Sequence, residues 1–361
     1  MFEIVPASWY APVFFNMVLL LTGMKCTLLR KTNKGVFLFL LFFVIVLFGT
    51  RPLTFVYFGD TEVYAAMYQL IGSTSLAELN WDKDWLFDLL MYLFNQLGLS
   101  VHTFFLFVAS VYVGCSAWAC KRLFGSSAYL AFLFVVGSFS FYGYGVNGIR
   151  NGMAAALTLL TFSYLKTNRW IALILSFVII PIHGSMLLPV CAAWLSLFYK
   201  NTKFYLYCWL FSIFLSVSIG GVALETYFAS LNMVDDERFS SYLLNKNFSD
   251  QFSSIGFRWD FLLYSVMPIW LGWYVVIKRK IYNDQYLLLL HTYLLSNAFW
   301  IMLIRASFSN RFAYLSWFMY PIVLAYPLLI LPVWRCNRRK IVIILMAHYL
   351  FTYLMWIIGK L

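Results

Sequence analysis

Residues 161–203 read TFSYLKTNRWIALILSFVIIPIHGSMLLPVCAAWLSLFYKNTK. Two apolar segments, 170–182 and 184–199, are joined by the turn Pro181-Ile182-His183-Gly184. Their far ends carry Lys166 with Arg169, and Lys200 with Lys203. An apolar hairpin with basic outer ends and a nearly neutral bend is the pattern of paired membrane helices, because Lys and Arg are retained on the cytoplasmic face during insertion. The bend then faces outward. The Pro-Ile-His-Gly break equally fits a kink in one longer helix.

The same alternation runs through the chain. Basic residues fall at Lys25, Arg30, Lys31 and Lys34; Lys121 and Arg122; Lys278, Arg279 and Lys280; and Arg335, Arg338, Arg339 and Lys340. With the hairpin's four, these make 17 of the 26 basic residues, and Asp284 is the only acid among them. The other 13 of the 14 acids lie in or facing the opposite turns. Twelve spans fit this pattern: 11–29, 35–50, 101–120, 126–146, 149–165, 170–182, 184–199, 204–222, 258–277, 286–304, 312–331 and 341–359. Both termini are then outside. The expected fold is an all-α polytopic membrane protein, one integral membrane domain over 1–361, with two long outer loops at 51–100 and 223–257. Several spans are short for a bilayer, which needs about 20 apolar residues per helix.

Composition agrees. The chain is 63% hydrophobic and 11% charged, about half the charge of a soluble domain. The net charge of +12 is explained by cytoplasmic turns meeting anionic lipid, so no nucleic-acid partner is expected. Six cysteines show no C-x-x-C and no pair in an outer loop, so neither a disulfide framework nor zinc is expected. The start, MFEIVPASWYAPVFF, has no basic n-region and reads as a retained first helix. In the first loop, residues 85–97 would reach only about 20 Å as a helix. Asp84, Asp88 and Asn95 share one of its faces, so it is expected to lie at the interface or to re-enter the membrane. In the second loop, acids in DDERFSSYLL suit a helix N-terminus.

Against the insertion bias stand Arg51, Arg150, Arg258, Arg305 and Arg311, on the outer side at or near helix ends. Something anionic outside would reward that placement. Arg150 lies in YGYGVNGIRNGMAAAL, where Gly145, Gly148 and Gly152 permit close approach of a ligand or another helix. Helix-start N–H groups there add positive potential. Arg305 and Arg311 flank one turn, and a guanidinium fork binds phosphate oxygens in pairs. Arg150, Arg305 and Arg311, with Arg51 behind them, are therefore candidate diphosphate ligands. The bland alternatives are arginines snorkelling to headgroups or ion pairs with Asp60, Glu62 or Asp260. A base for a hydroxyl comes from Asp60, beside the Arg51 end of the second span, or from His183, whose ordinary pKa suits proton transfer. Glu62, Asn147, Asn151 and Tyr144 are candidates for holding substrate. The D-x-D of Asp82 and Asp84 has the spacing of a cation site, but arginines can neutralise a diphosphate and no metal or cofactor is expected.

The order of motifs resembles a known family. An outer D-T-E-x-Y is followed by W-L-F-D-L-L, then G-I-R-N-G-M-A at a helix start. P-I-H-G-S comes about thirty residues on, and R-x(5)-R-F-A-Y-L precedes a late helix. This is similar to the Wzy polymerases of bacterial surface polysaccharides, in particular their EpsG-like branch, over residues 55–325. The pair R-N-x-x-A and I-H-G-S carries most of the specificity; Ile182 stands where such proteins usually have phenylalanine. The resemblance implies a GT-C-like glycosyltransferase of the bacterial inner membrane with its active site and the two long outer loops facing the periplasm. It would transfer a growing glycan from undecaprenyl diphosphate to a lipid-linked repeat unit. Its partners would be the undecaprenyl-diphosphate-linked oligosaccharide and membrane lipids, with a chain-length regulator open. A glycan ligase, a lipid-linked sugar flippase and a membrane O-acyltransferase are the competing readings.

Overall fold

The structure, a computed structural model, describes residues 5–27, 34–218, 257–305, 309–333 and 338–359. The expected second loop, 223–257, lies almost entirely outside them. The described residues are helical without strands. Among them, five helical stretches are long and apolar enough to cross a membrane: Ala7–Lys25, Val101–Val136, Trp259–Lys278, Ser309–Leu329 and Arg339–Ile357. Lys34–Gly49, Arg169–Ile179, Gly184–Phe198 and Thr202–Ser218 are apolar but shorter. The exposed faces support a membrane setting. On Arg169–Ile179, Trp170, Ile174 and Phe177 form an exposed stripe at helical spacing, of the kind a lipid phase accommodates.

Among the described residues many helix ends fall near the sequence-derived spans, but two of those spans are divided: 312–331 into Ser309–Trp317 and Tyr320–Leu329, and 126–146 as follows. The expected gap at 120–126 is bridged: Val101–Phe124 continues through a tight turn at Gly125–Ser127 into Ala128–Val136. The chain breaks instead at residues 137–140, inside the expected span 126–146, before the short helix Phe141–Val146. A Cβ on Gly137 would lie 2.9 Å from the Leu133 carbonyl oxygen and 2.9 Å from Tyr349, so this break sits in a close approach that hydropathy cannot register. At Pro181–Gly184 the chain leaves the helix: Arg169–Ile179 ends before it and Leu187–Phe198 begins after it, so the two are separate helices.

The chain forms two compact units, Met1–Gly184 with Leu328–Leu361, and Ser185–Pro327. In the first, Val101–Phe124 packs along Ile149–Tyr164 and Lys34–Gly49. Small residues allow it: Ala154, Ala155 and Ala156 are buried on one helix, Ala109, Ser116 and Ala117 on the other, and small faces let membrane helices approach closely. A Cβ on Gly49 would fall 2.6 Å from Leu106. The late helix Arg338–Ile357 returns to this unit, where Tyr353 hydrogen-bonds Asn16 (3.0 Å), Thr352 donates to the Gly137 carbonyl (2.8 Å), and Tyr349 donates to that of Phe15.

In the second unit, Asp284–Met302 packs against Leu187–Phe198, Thr202–Ser218 and Ser309–Trp317. Polar side chains join these helices inside the apolar packing. Trp209 donates to Asn297 (2.8 Å), Asn297 to Ser316 (3.0 Å), and Trp317 to Ser265 (2.7 Å). In lipid such bonds hold helices that have no hydrophobic drive to associate.

Candidate active site

The helix Trp85–Gln96 begins at Asp84, whose backbone is left-handed, φ 52°. An aspartate before an amphipathic helix ordinarily caps its own N–H groups. Asp84 makes no such bond; its carboxylate reaches the Pro181–Gly184 corner instead. Oδ1 accepts from the Gly184 N–H at 2.8 Å, and Oδ2 stands 3.3 Å from His183 Nδ1. The Leu86 N–H donates to the Pro181 carbonyl at 2.9 Å, closing the corner onto the helix start.

The third partner comes from the glycine-rich turn. Arg150, in the first turn of Ile149–Tyr164, lays Nη1 3.2 Å from Asp84 Oδ2. The carboxylate is 4% exposed, while Arg150 keeps 25% and His183 21%. A buried anion thus holds a cation and an imidazole that both still reach solvent. Burial pushes the Asp84 carboxyl up. The hydrogen bond and charge of His183, the charge of Arg150 and the Gly184 N–H outweigh it, holding the group below its ordinary range. One turn on, Asp88 differs: burial and the Asp84 charge push it up to about 6 despite Arg150.

The turn carrying Arg150 is itself tied down. Asn147 Oδ1 accepts the Asp60 N–H (2.9 Å), and Thr61 Oγ1 lies 3.0 Å from the Val146 carbonyl oxygen. Gly59, at φ 52°, leaves the room Asn147 occupies; a Cβ there would meet it at 2.5 Å. A Cβ on Gly152 would sit 2.4 Å from the Tyr144 carbonyl oxygen, and one on Gly148 2.8 Å from the Tyr144 ring. These glycines serve approach of the chain to itself.

The sequence profile of the EpsG family matches residues 36–360. The chain belongs to the EpsG family. Membership implies a polysaccharide polymerase, a glycosyltransferase-like enzyme, and the apolar helices embed it in a membrane. No curated protein and no solved structure matches.

In this EpsG-family chain the remaining sequence-derived candidates are distributed as follows. Asp60 is half-buried and is joined to Asn147 through its backbone; Glu62 is exposed. Arg51 is only 1% exposed and spends Nη1 on the Phe48 carbonyl (2.6 Å) and Nε on Thr61 (3.1 Å), over the Phe105 ring. Asn151 is half-buried and Tyr144 lies against Gly148 and Gly152. In the second unit, Arg311 is exposed in the first turn of Ser309–Trp317. Arg305 is half-buried, its Nε buried and without a hydrogen-bond partner among the described residues, and its head 5.7 Å from the Phe257 ring. Arg258 holds Asp260 with two bonds, 2.9 and 2.7 Å, so this acid already has its arginine. Among the described residues no three His, Cys, Asp or Glu side chains gather as metal ligands.

The residue that joins the site, Asp84, was not among the candidates. The sequence shows it as one half of a D-x-D and as a polar point on a helical face. Its only other signal is position: an acid at a helix start that need not cap.

Proposed function

We propose that this protein is an inner-membrane polysaccharide polymerase. It transfers a growing glycan from undecaprenyl diphosphate onto a lipid-linked repeat unit, at the periplasmic face. The observation that carries this reading is the shared carboxylate: Asp84 gathers Arg150 and His183, the cores of the two motifs most specific to the family resemblance. The excess of Lys and Arg in the opposite turns supports an outer location, and a polyprenyl diphosphate is an anion held at that membrane edge.

In this reading the acceptor hydroxyl attacks C1 of the donor sugar as the C1–O bond to diphosphate breaks. Asp84 accepts the His183 Nδ1–H, which leaves the lone pair on Nε2 to take the hydroxyl proton. Arg150 meets the negative charge growing on the departing diphosphate, and a donor fixed beforehand by Asp84 costs no reorganisation at that moment. Arg305 and Arg311, on the second unit, stay candidate diphosphate ligands on their sequence pattern alone. His183 is preferred to Asp60 as base because a buried carboxylate orients it, whereas Asp60 is engaged through its backbone.

The test supplies purified protein with a lipid-linked repeat unit and separates products on a gel. A ladder of lengthening lipid-linked glycans is expected, lost on Arg150→Ala and His183→Ala in folded protein. Unchanged substrate with the matched repeat unit sinks the polymerase reading and favours a transporter or acyltransferase.

A further inference from the structure

Two buried acceptors in the neighbourhood of Arg150 are unused by the chemistry above. Asp88 lies in the first turn of Trp85–Gln96, one turn beyond Asp84. It is near enough to feel the charges of both Arg150 and Asp84. Yet its Oδ1 is buried with no hydrogen-bond partner among the described residues, and Arg150 makes an ion pair with Asp84. Asn151, next to Arg150 in the chain, likewise has a buried Oδ1 without a partner among the described residues. Buried polar atoms in native proteins are nearly always bonded, and each exception asks for a reason.

The chemistry of the two atoms narrows what would complete them. Both are acceptors, so each needs an O–H or N–H donor. A diphosphate offers only more oxygen lone pairs and negative charge, and Asp88 would repel it. A sugar offers several hydroxyls. We propose that Asp88 and Asn151 form a subsite for the hydroxyls of the sugar attached to the diphosphate, beside the cationic position of Arg150. The cluster then has two halves: a guanidinium for the phosphate charge and two acceptors for the adjoining ring. Loss of protons from a sugar hydroxyl is not involved; these contacts orient C1 toward attack.

This inference rests on the polymerase reading, and binding measurements separate the two. The probes are undecaprenyl diphosphate alone and the lipid-linked repeat unit extracted from the producing strain, each titrated into detergent-purified full-length protein. Wild type should bind the sugar-bearing lipid more tightly. Hydrogen bonds to a charged group contribute about 1.5–3 kcal/mol, so Asp88→Leu should cost that lipid about tenfold or more in affinity. Binding of undecaprenyl diphosphate alone should stay unchanged. Asp88→Asn, closer in shape and less apt to disturb folding, should lose an intermediate part, as should Asn151→Ala. If all three variants keep the full preference for the sugar-bearing lipid, the subsite is wrong while the polymerase reading stands. If wild type binds neither lipid, both fall.

Discussion

Replacing Asp84 by Asn tests the site at its joint. The amide keeps the shape and one acceptor oxygen, which the Gly184 N–H at 2.8 Å can retain. Its NH2 then faces Arg150 and His183, so donor meets donor at Arg150, 3.2 Å from where Oδ2 stood, and also at His183, 3.3 Å away, for as long as the imidazole keeps its proton on Nδ1. Two charge-assisted contacts are each worth about 1.5–3 kcal/mol. Arg150 and His183 are 25% and 21% exposed, so water recovers part, leaving a net loss of about 2–3 kcal/mol. Expressed in the transition state alone, that slows turnover roughly 30- to 150-fold. The amide also favours the imidazole tautomer with its proton on Nε2, which cannot act as base; a comparable change in a serine protease costs about 10⁴. The assay is the initial rate of glycan-ladder formation at saturating lipid-linked substrate, normalised to folded protein by thermal unfolding in detergent. Asp84→Asn that is folded and within about threefold of wild-type turnover would refute the reasoning.

Arg150→Lys should retain part of the turnover that Arg150→Ala loses, since lysine keeps the charge without the planar fork; equal rates for the two would argue against directed phosphate bonding. Gly152→Ala should lower the thermal midpoint in detergent by the equivalent of about 1–3 kcal/mol, because its Cβ would lie 2.4 Å from a backbone oxygen that cannot rotate away. Thr61→Val strands the Nε of buried Arg51 and should cost about 1–3 kcal/mol of stability, with Thr61→Ser recovering most of it. Asp88, pushed up to about 6, binds its proton more tightly folded than unfolded. Its contribution therefore falls as pH rises from the ordinary aspartate value to about 6. Asp88→Asn should remove that slope from a plot of thermal midpoint against pH.

Much of the fold is legible where local pattern decides it. Ile149–Tyr164 and Trp85–Gln96 match the expected 149–165 and 85–97 because a glycine–asparagine start and a 3.6-residue period are both local signals. The break at 137–140 is not legible, since Phe139, Phe141 and Tyr142 keep the stretch apolar while close packing around Gly137 turns the chain. Arg150 and His183 stand out in sequence as charged or titratable residues at helix ends. The bond that unites them does not, because Asp84 is 99 residues from His183 and nothing local marks its left-handed φ. Asp60 drew notice by proximity to Arg51, yet its contribution to the turn comes from the backbone N–H, which every residue but proline has.

Arg51 carries a consequence for how the protein is made. Its partners are the Phe48 carbonyl, Thr61 and the face of Phe105, and Thr61 in turn meets the Val146 carbonyl. A guanidinium cannot leave water before its partners exist. While the ribosome is still upstream of residue 146, the segment ending at Gly49 must keep Arg51 hydrated among the headgroups. The nascent chain's first spans are therefore provisional tenants of the bilayer, and their final depth is set only when a segment nearly a hundred residues younger arrives to close over them.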